Sequence, residues 1–223
     1  MVRRSLTLEQ IVEGAVAVLD EEGVEGLNMR RLGKQLDTTA PALYWHVKNK
    51  DDVVALAIDA VWAEVELPDS EGPWRESATA LASSGYAMIV GHPWMVTAMS
   101  TTAGYGPGKA RHDDCCIAVY RKAGFAGEEI DLAMNTVFSF LLGHAVGPAS
   151  EKALRRKLDR TGNAEEELKV LLTSAAEVAE GFPRLSEHLE SFEAETFHAQ
   201  PDGGFRWGLE RVLDGLEERL RKP

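Results

Sequence analysis

The chain has 223 residues, of which 44% are hydrophobic, and a net charge of −12. That apolar fraction is enough to bury a core and excludes an intrinsically disordered chain. The acidic balance excludes nucleic-acid contact over the whole surface. The charge is uneven, however. Residues 1–50 hold seven Lys/Arg and seven Asp/Glu, so the remainder carries all of the −12, and any DNA contact is confined to the N-terminal segment. No apolar run follows Met1-Val2-Arg3-Arg4, so no secretory leader is expected. The longest apolar stretch, Ile130 to Val146, is interrupted by Asp131, Asn135, Ser139 and His144. It is short for a membrane span and is expected to be a core helix. Cys115 and Cys116 are adjacent. Neighbours on a helix point about 100° apart, poor geometry for a disulfide, and a reducing, cytoplasmic setting is expected.

From Thr7 to Glu22, apolar residues at Leu8, Ile11, Val12, Ala15, Val18 and Leu19 recur in steps of three and four. This predicts an amphipathic helix with Thr7 as N-cap and Gly23 as its end. Asn28 caps a shorter helix, Met29 to Leu36, and Asp37-Thr38-Thr39 is a turn in which Asp37 tolerates a left-handed backbone. Thr39 caps a third helix of about two turns ending near Val47, with Pro41 in its first turn. Asn49 caps a fourth, with Asp51 and Asp52 complementing its dipole. Val53, Val54, Leu56, Ala57, Ile58, Val61, Trp62 and Val65 make that helix apolar on most sides, as in a helix packed between two layers.

Pro68 to Pro73 is a break. Helices are then predicted over Trp74–Gly91, Pro93 to about Thr101, Pro107–Ala123 and Gly127–Gly147, with a glycine-rich loop at 104–108. After a polar break at Asp159–Ala164 follow Glu165–Glu180 and Pro183–Glu195, a turn at Pro201–Gly204, and a final helix from Phe205 to Leu220. No strand and no internal repeat is found, so the chain reads as all-α. The organisation is a three-helix helix-turn-helix unit over residues 1–48 and a larger helical body over 49–223, with 49–66 as the connecting helix.

A short helix in a major groove offers only three or four side chains to base edges. The candidates are Thr39, Ala40, Ala42, Tyr44 and His46. Arg30 can reach a guanine edge or a phosphate, and Lys48 and Lys50 flank a helix N-terminus, which itself favours phosphate. Leu43, Trp45 and Val47 are expected in the core of the unit, with Trp45 shared between packing and backbone contact. The stretch from Leu6 to about Val65 resembles the TetR family of transcriptional regulators, and the string LYWHVKNK is similar to its tetracycline-repressor branch. The resemblance implies DNA contact for Arg30, Pro41, Tyr44, Trp45, His46 and Lys50. Ala40 and Ala42 stand where that branch has a base-reading glutamine and a threonine. Alanine can touch a thymine methyl but cannot hydrogen-bond a base, so a different operator is expected.

The resemblance further implies a homodimer built on two helices per subunit, for which Gly127–Gly147 and Phe205–Leu220 are the candidates, and a pocket for a small-molecule effector. Met88, Trp94, Met95, Met99, Cys116, Asn135, Phe138 and His144 are candidate lining residues, soft and aromatic groups with a few polar ones. Taken singly, each is also an ordinary core residue. Beyond the first quarter the resemblance rests on traces: Trp74, Gly124-Phe125 and Phe140-x-Leu142-Gly143. Met99 falls near that branch's metal-ligating histidine and cannot hold magnesium, so tetracycline–magnesium is not the expected effector. No metal and no cofactor is expected. His112 and Cys116 stand four apart on one helix face, but further ligands are lacking. Control by a protein partner or by thiol oxidation is the alternative to a small molecule. An all-α enzyme is the remote one, since Glu66, Asp69, His92, His112 and His144 form no motif at a recognisable spacing.

Overall fold

The computed structural model describes residues 6–161, 164–190 and 203–221. Within these the secondary structure is helical: α1 (Leu8–Gly26), α2 (Met29–Gln35), α3 (Ala40–Leu43), α4 (Lys50–Trp62), α5 (Trp74–Gly91), α6 (Trp94–Thr101), α7 (Pro107–Ala123), α8 (Glu128–Thr161), α9 (Ala164–Glu180), α10 (Pro183–Glu190) and α11 (Gly203–Arg221). The predicted caps hold. Thr7 accepts from the Gln10 amide at 3.3 Å while Gln10 Oε1 accepts from the Thr7 amide, a reciprocal capping box. Asn28 accepts from the Arg31 amide and Asn49 from that of Asp52. Thr39 occupies the N-cap of α3 without a side-chain bond. Gly23 breaks the helical path of α1 at φ 73°, a conformation open to glycine at little cost.

Two segments differ from expectation. The regular part of α3 is one turn, not two. A tighter turn carries the chain onward, with the His46 and Val47 amides both donating to the Leu43 carbonyl. Conversely, α8 does not stop at Gly147 but runs through Pro148 to Thr161. A proline inside a helix forfeits one backbone hydrogen bond, and tertiary anchors hold the far half. Lys152 Nζ donates to the Gly91 carbonyl at 3.1 Å, Arg156 Nη1 donates to the Asp20 carbonyl at 2.7 Å, and Ala149 and Leu158 are buried. The last five residues of the expected helix Pro183–Glu195 and the start of the turn at 201–204 lie outside the described residues; Gly203 and Gly204 already belong to α11.

Helix α4 is the hub. It packs on α1 on one side and on α5, α6 and α7 on the other. Its buried residues Val53, Val54, Ala57, Ile58, Val61 and Trp62 join a core that runs without interruption from Ile11 in α1 to Leu213 in α11. The body is built from α5, α7 and α8, with α11 laid along α8 and α5. Arg75 of α5 pins α11 through Asp214 at 2.5 Å and Glu217 at 3.2 Å, and Tyr86 stacks on Phe205 at 4.0 Å. By length and composition α8 could cross a bilayer, with a mean hydropathy of 1.3 over its most apolar 18 residues. Here its apolar residues Ile130, Ala133, Val137, Leu141 and Ala145 are buried in the core.

Candidate nucleic-acid interface and ligand cavity

The α2–turn–α3 corner is set by backbone proximity. Asp37 adopts φ 48°, the left-handed conformation expected of it. The Thr38 amide donates to the Gly33 carbonyl at 2.8 Å. A Cβ on Gly33 would lie 3.0 Å from the Thr38 carbonyl oxygen and 3.3 Å from the Ala40 nitrogen. Both are backbone atoms that cannot swing aside, so glycine at 33 fixes how closely α3 follows α2. Gly33 carries no motif of its own in the sequence; a glycine four residues before a left-handed Asp is the signal that points to it.

Leu43 and Val47 are buried, four residues apart on one face. Trp45 is 89% exposed, which corrects its expected place in the core. Residue 45 lies about 200° round the helix from 43, so the face that buries Leu43 turns Trp45 outward. Tyr44, at 54% exposed, stands beside it, with His46, Lys48, Thr39, Pro41 and Arg30 also exposed and Ala40 and Ala42 half-buried. The neighbouring Arg31 is committed internally, bonding Glu22 at 2.5 Å and Glu21 at 3.0 Å and thereby tying α2 to the end of α1. Those carboxylates hold its guanidinium pKa above the ordinary value, the Glu22 bond contributing most. Lys50 is also partly committed: its Nζ donates to the Val24 carbonyl at 2.7 Å. At the start of α4, Asn49 and Asp52 side chains already accept from the Asp52 and Lys48 amides.

A cavity of about 190 Å³ lies between α5, α7 and α8. Of the expected lining residues, Cys116, Asn135 and Phe138 meet there. The other five do not line it. Met88, Trp94 and Met95 are buried core and Met99 packs against that core. Trp94 also donates from Nε1 to Asp20 at 2.8 Å and borders a separate hollow between the end of α1, α6 and α8. His144 sits among Tyr86, Phe140 and Phe205 rings at 5.7–5.9 Å. Lining residues missed from sequence include Leu81, Ala82, Lys109, His112, Asp113, Tyr120 and Leu141. The available signal was the stripe Lys109, Asp113, Cys116, Tyr120 on α7, spaced four, three and four, on a face that also carries core residues.

The polar end of the cavity touches α4. Lys109 Nζ pairs with Asp113 and lies 4.9 Å from the centre of the Trp62 ring, and the His112 ring lies 4.7 Å from it. Burial lowers the His112 pKa, against the opposing pull of Asp113, and so favours the neutral imidazole. Burial raises both thiols, Cys116 to about 12, which leaves neither poised as a thiolate. Among the described residues no three His, Cys, Asp or Glu side chains converge on a metal position.

Four further hydrogen bonds, through two side chains, lock α7 to α4. Asp59 of α4 caps the start of α7, accepting from the Gly108 amide at 3.1 Å and the Lys109 amide at 2.9 Å. Arg111 of α7 donates to the Ala63 and Val65 carbonyls just beyond the end of α4, at 2.8 and 3.2 Å. The contact is close because a glycine stands at 108: a Cβ there would fall 2.2 Å from the Asp59 carbonyl oxygen.

Comparison with known proteins accounts for both halves. Residues 11–57 match the family described as "Bacterial regulatory proteins, tetR family", and residues 67–220 match "Tetracyclin repressor-like, C-terminal domain". The second match extends well past the first quarter, where the sequence resemblance faded. An HTH-type transcriptional regulator of Saccharopolyspora erythraea is 36% identical over 158 residues, covering 70% of this chain, which spans 65% of that relative's length. The HTH-type transcriptional repressor DrrR1 of Streptomyces coeruleorubidus is 28% identical, covering 96% of this chain and 78% of its own. The crystal structure of the TetR-family protein ActR of Streptomyces coelicolor in complex with actinorhodin superposes with a TM-score of 0.74 at 28% identity, over 97% of this chain and 96% of that one. The chain belongs to the TetR family, and is a DNA-binding transcriptional regulator rather than an enzyme.

Proposed function

We propose that the chain acts in the cytoplasm as a homodimer that sets two copies of the 1–48 unit on a palindromic operator, and that a small molecule in the α5–α7–α8 cavity releases it. In this reading Arg30, Thr39, Ala40, Pro41, Ala42, Tyr44, Trp45, His46 and Lys48 face the DNA. Lys50 contributes by holding the unit's shape as well as by its charge. Residues 49–223 sense and dimerise, with 49–66 as the connector. The exposed face of α8, with Leu132, Val146 and the open positions Gly143 and Gly147, and that of α11, with Trp207 and Gly215, support a helical interface between two copies.

One observation carries the ligand response: the residues lining the polar end of the cavity are in contact with α4. Lys109 and His112 touch Trp62, and the same helix α7 is bonded to the C-terminal end of α4 through Asp59 and Arg111. A ligand that displaces α7 therefore displaces α4, and with it α1 and the reading unit. A coupling of about 1–3 kcal/mol weakens operator binding roughly 5–150-fold, enough to free a promoter. The small-molecule complex of ActR supports an effector of that kind.

The test is selection of bound sequences from random duplexes by the purified protein, repeated with Tyr44→Ala and Trp45→Ala. A palindrome with half-sites about one helical turn apart, 34–36 Å, is expected for the wild type and lost in the variants. Enrichment of a single, unrepeated half-site would overturn the dimeric reading.

A further inference from the structure

The cavity's charges cancel. Lys109 and Asp113 form an ion pair within its wall, and both are mostly buried. A charged ligand would find no net counter-charge there. To gain one it would have to break the pair and leave the other member buried and unpaired, the costly way to disrupt such a contact.

The hydrogen-bonding pattern is more specific. His112 Nδ1 lies 3.3 Å from Asp113 Oδ1. A carboxylate only accepts, so Nδ1 carries the proton and Nε2 is left as an acceptor. The Cys116 thiol lies 3.7 Å from Nε2 and 3.8 Å from Nδ1, a weak donor at long range to either. Lys109 supplies N–H donors from the same helix face. At its α4 end the site thus offers one acceptor beside a donor. A carbonyl or carboxylate can answer only the donor. A hydroxyl answers both. The rest of the wall is mainly apolar, with Leu81, Ala82, Val137, Phe138 and Leu141 beside the Asn135 amide and the Tyr120 ring. A volume of about 190 Å³ lies below the roughly 300–1,000 Å³ usual for drug-sized ligands, so the guest is compact.

We propose that the effector is a compact, uncharged, largely apolar molecule bearing a hydroxyl group, and that His112 and Lys109 read this hydroxyl. The proposal rests on the cavity being the effector site. Binding of the hydroxyl replaces the weak thiol contact at Nε2 and draws on the two residues that touch Trp62, so recognition and the pull on α4 involve the same residues.

The test is calorimetric titration of the full chain with four probes of one shape: β-naphthol, naphthalene, β-naphthoate and β-naphthylmethylamine. Naphthol is expected to bind at least ten-fold more tightly than each of the others. His112→Phe, which keeps a ring and removes the acceptor, is expected to erase the advantage of naphthol over naphthalene. Asp113→Asn, which leaves Lys109 without its carboxylate, is expected to raise naphthoate affinity at least ten-fold. Naphthoate or the amine matching naphthol in the wild type overturns the proposal while the cavity stands as the site. If no probe binds, or if naphthol binds equally well to a folded Ala82→Phe variant whose cavity is filled, the proposal and the cavity reading fall together. Should Ala82→Phe fail to fold, the ranking of the four probes on the wild type still decides the chemistry.

Discussion

The reading unit and the cavity present opposite faces of the same economy of side chains. In α2 and α3 the structural bonds are short in sequence: Asn28 to Arg31, Thr38 to Gly33, Val47 to Leu43. This frees Tyr44, Trp45 and His46 to point outward, Trp45 almost fully exposed. The bonds that join the cavity's helix α7 to α4 are long in sequence. Asp59 reaches residues 108 and 109, and the walls come from three helices spanning residues 78–141. A surface that must meet a rigid duplex is best carried on a locally fixed frame. In the proposed mechanism, a cavity walled by separate helices can yield to a guest as they shift against one another.

The most severe way to break this contrast is to remove the residue that serves both regions. Trp62 is 2% exposed, lies in the core of α4, and touches Lys109 and His112. Trp62→Ala should cost about 3–5 kcal/mol in unfolding free energy, read from denaturant curves. A loss under about 1 kcal/mol would mean that α4 is not the shared core element. Next in size is a change confined to the reading unit. Trp45→Ala should weaken operator binding at least ten-fold, about 1.4 kcal/mol, as read by titration of the selected duplex. Its unfolding free energy should stay within about 0.5 kcal/mol of wild type, as for exposed sites elsewhere. Equal losses of stability and affinity would show that Trp45 is a packing residue after all.

A smaller effect sharpens the contrast at its joint. Asp59 satisfies two amides at the start of α7, a helix-capping role worth about 1 kcal/mol. Asp59→Ala should lose about that much stability. Asp59→Asn, which keeps an acceptor, should lose less. In the proposed mechanism the alanine variant also blunts release of the operator by naphthol, because α7 then shifts without carrying α4. Unchanged release in that variant would remove Asp59 from the coupling path.

What could be read from sequence follows the same division. The caps at Thr7, Asn28 and Asn49, the left-handed Asp37 and the two-sided α4 were legible because each is a statement about neighbours within a few residues. Trp45 was misplaced although helical geometry alone turns it away from Leu43 and Val47; an aromatic residue was read as core by its type rather than by its angle. The cavity was half legible. Cys116, Asn135 and Phe138 line it, whereas Met95 and His144 lie elsewhere, in positions set by packing that no local pattern records. The persistence of α8 past Pro148 was illegible for a like reason. Its anchors are the carbonyls of Asp20 and Gly91, distant in sequence.

The smallest predicted effect tests whether the two regions are also joined electrostatically. His92, between α5 and α6, places Nδ1 2.8 Å from Asp20 of α1 and Nε2 3.1 Å from Glu64, just past α4. The Asp20 hydrogen bond is the main cause of a pKa raised above the ordinary histidine value, against the opposing effect of burial. The protonated ring can donate to both carboxylates; the neutral ring can donate to only one. A raised folded-state pKa means that folding takes up a proton. The stabilisation is therefore full below about pH 6.5, the unfolded value, and is lost as pH rises through the raised folded value. Glu64 is exposed and Asp20 partly so, which keeps the contribution below about 1 kcal/mol. Comparing wild type with His92→Gln by thermal unfolding should show the larger gap at pH 6 and a smaller one at pH 8. A gap that widens with rising pH would reverse the sign and show that the neutral ring is the form that holds α1 against the body.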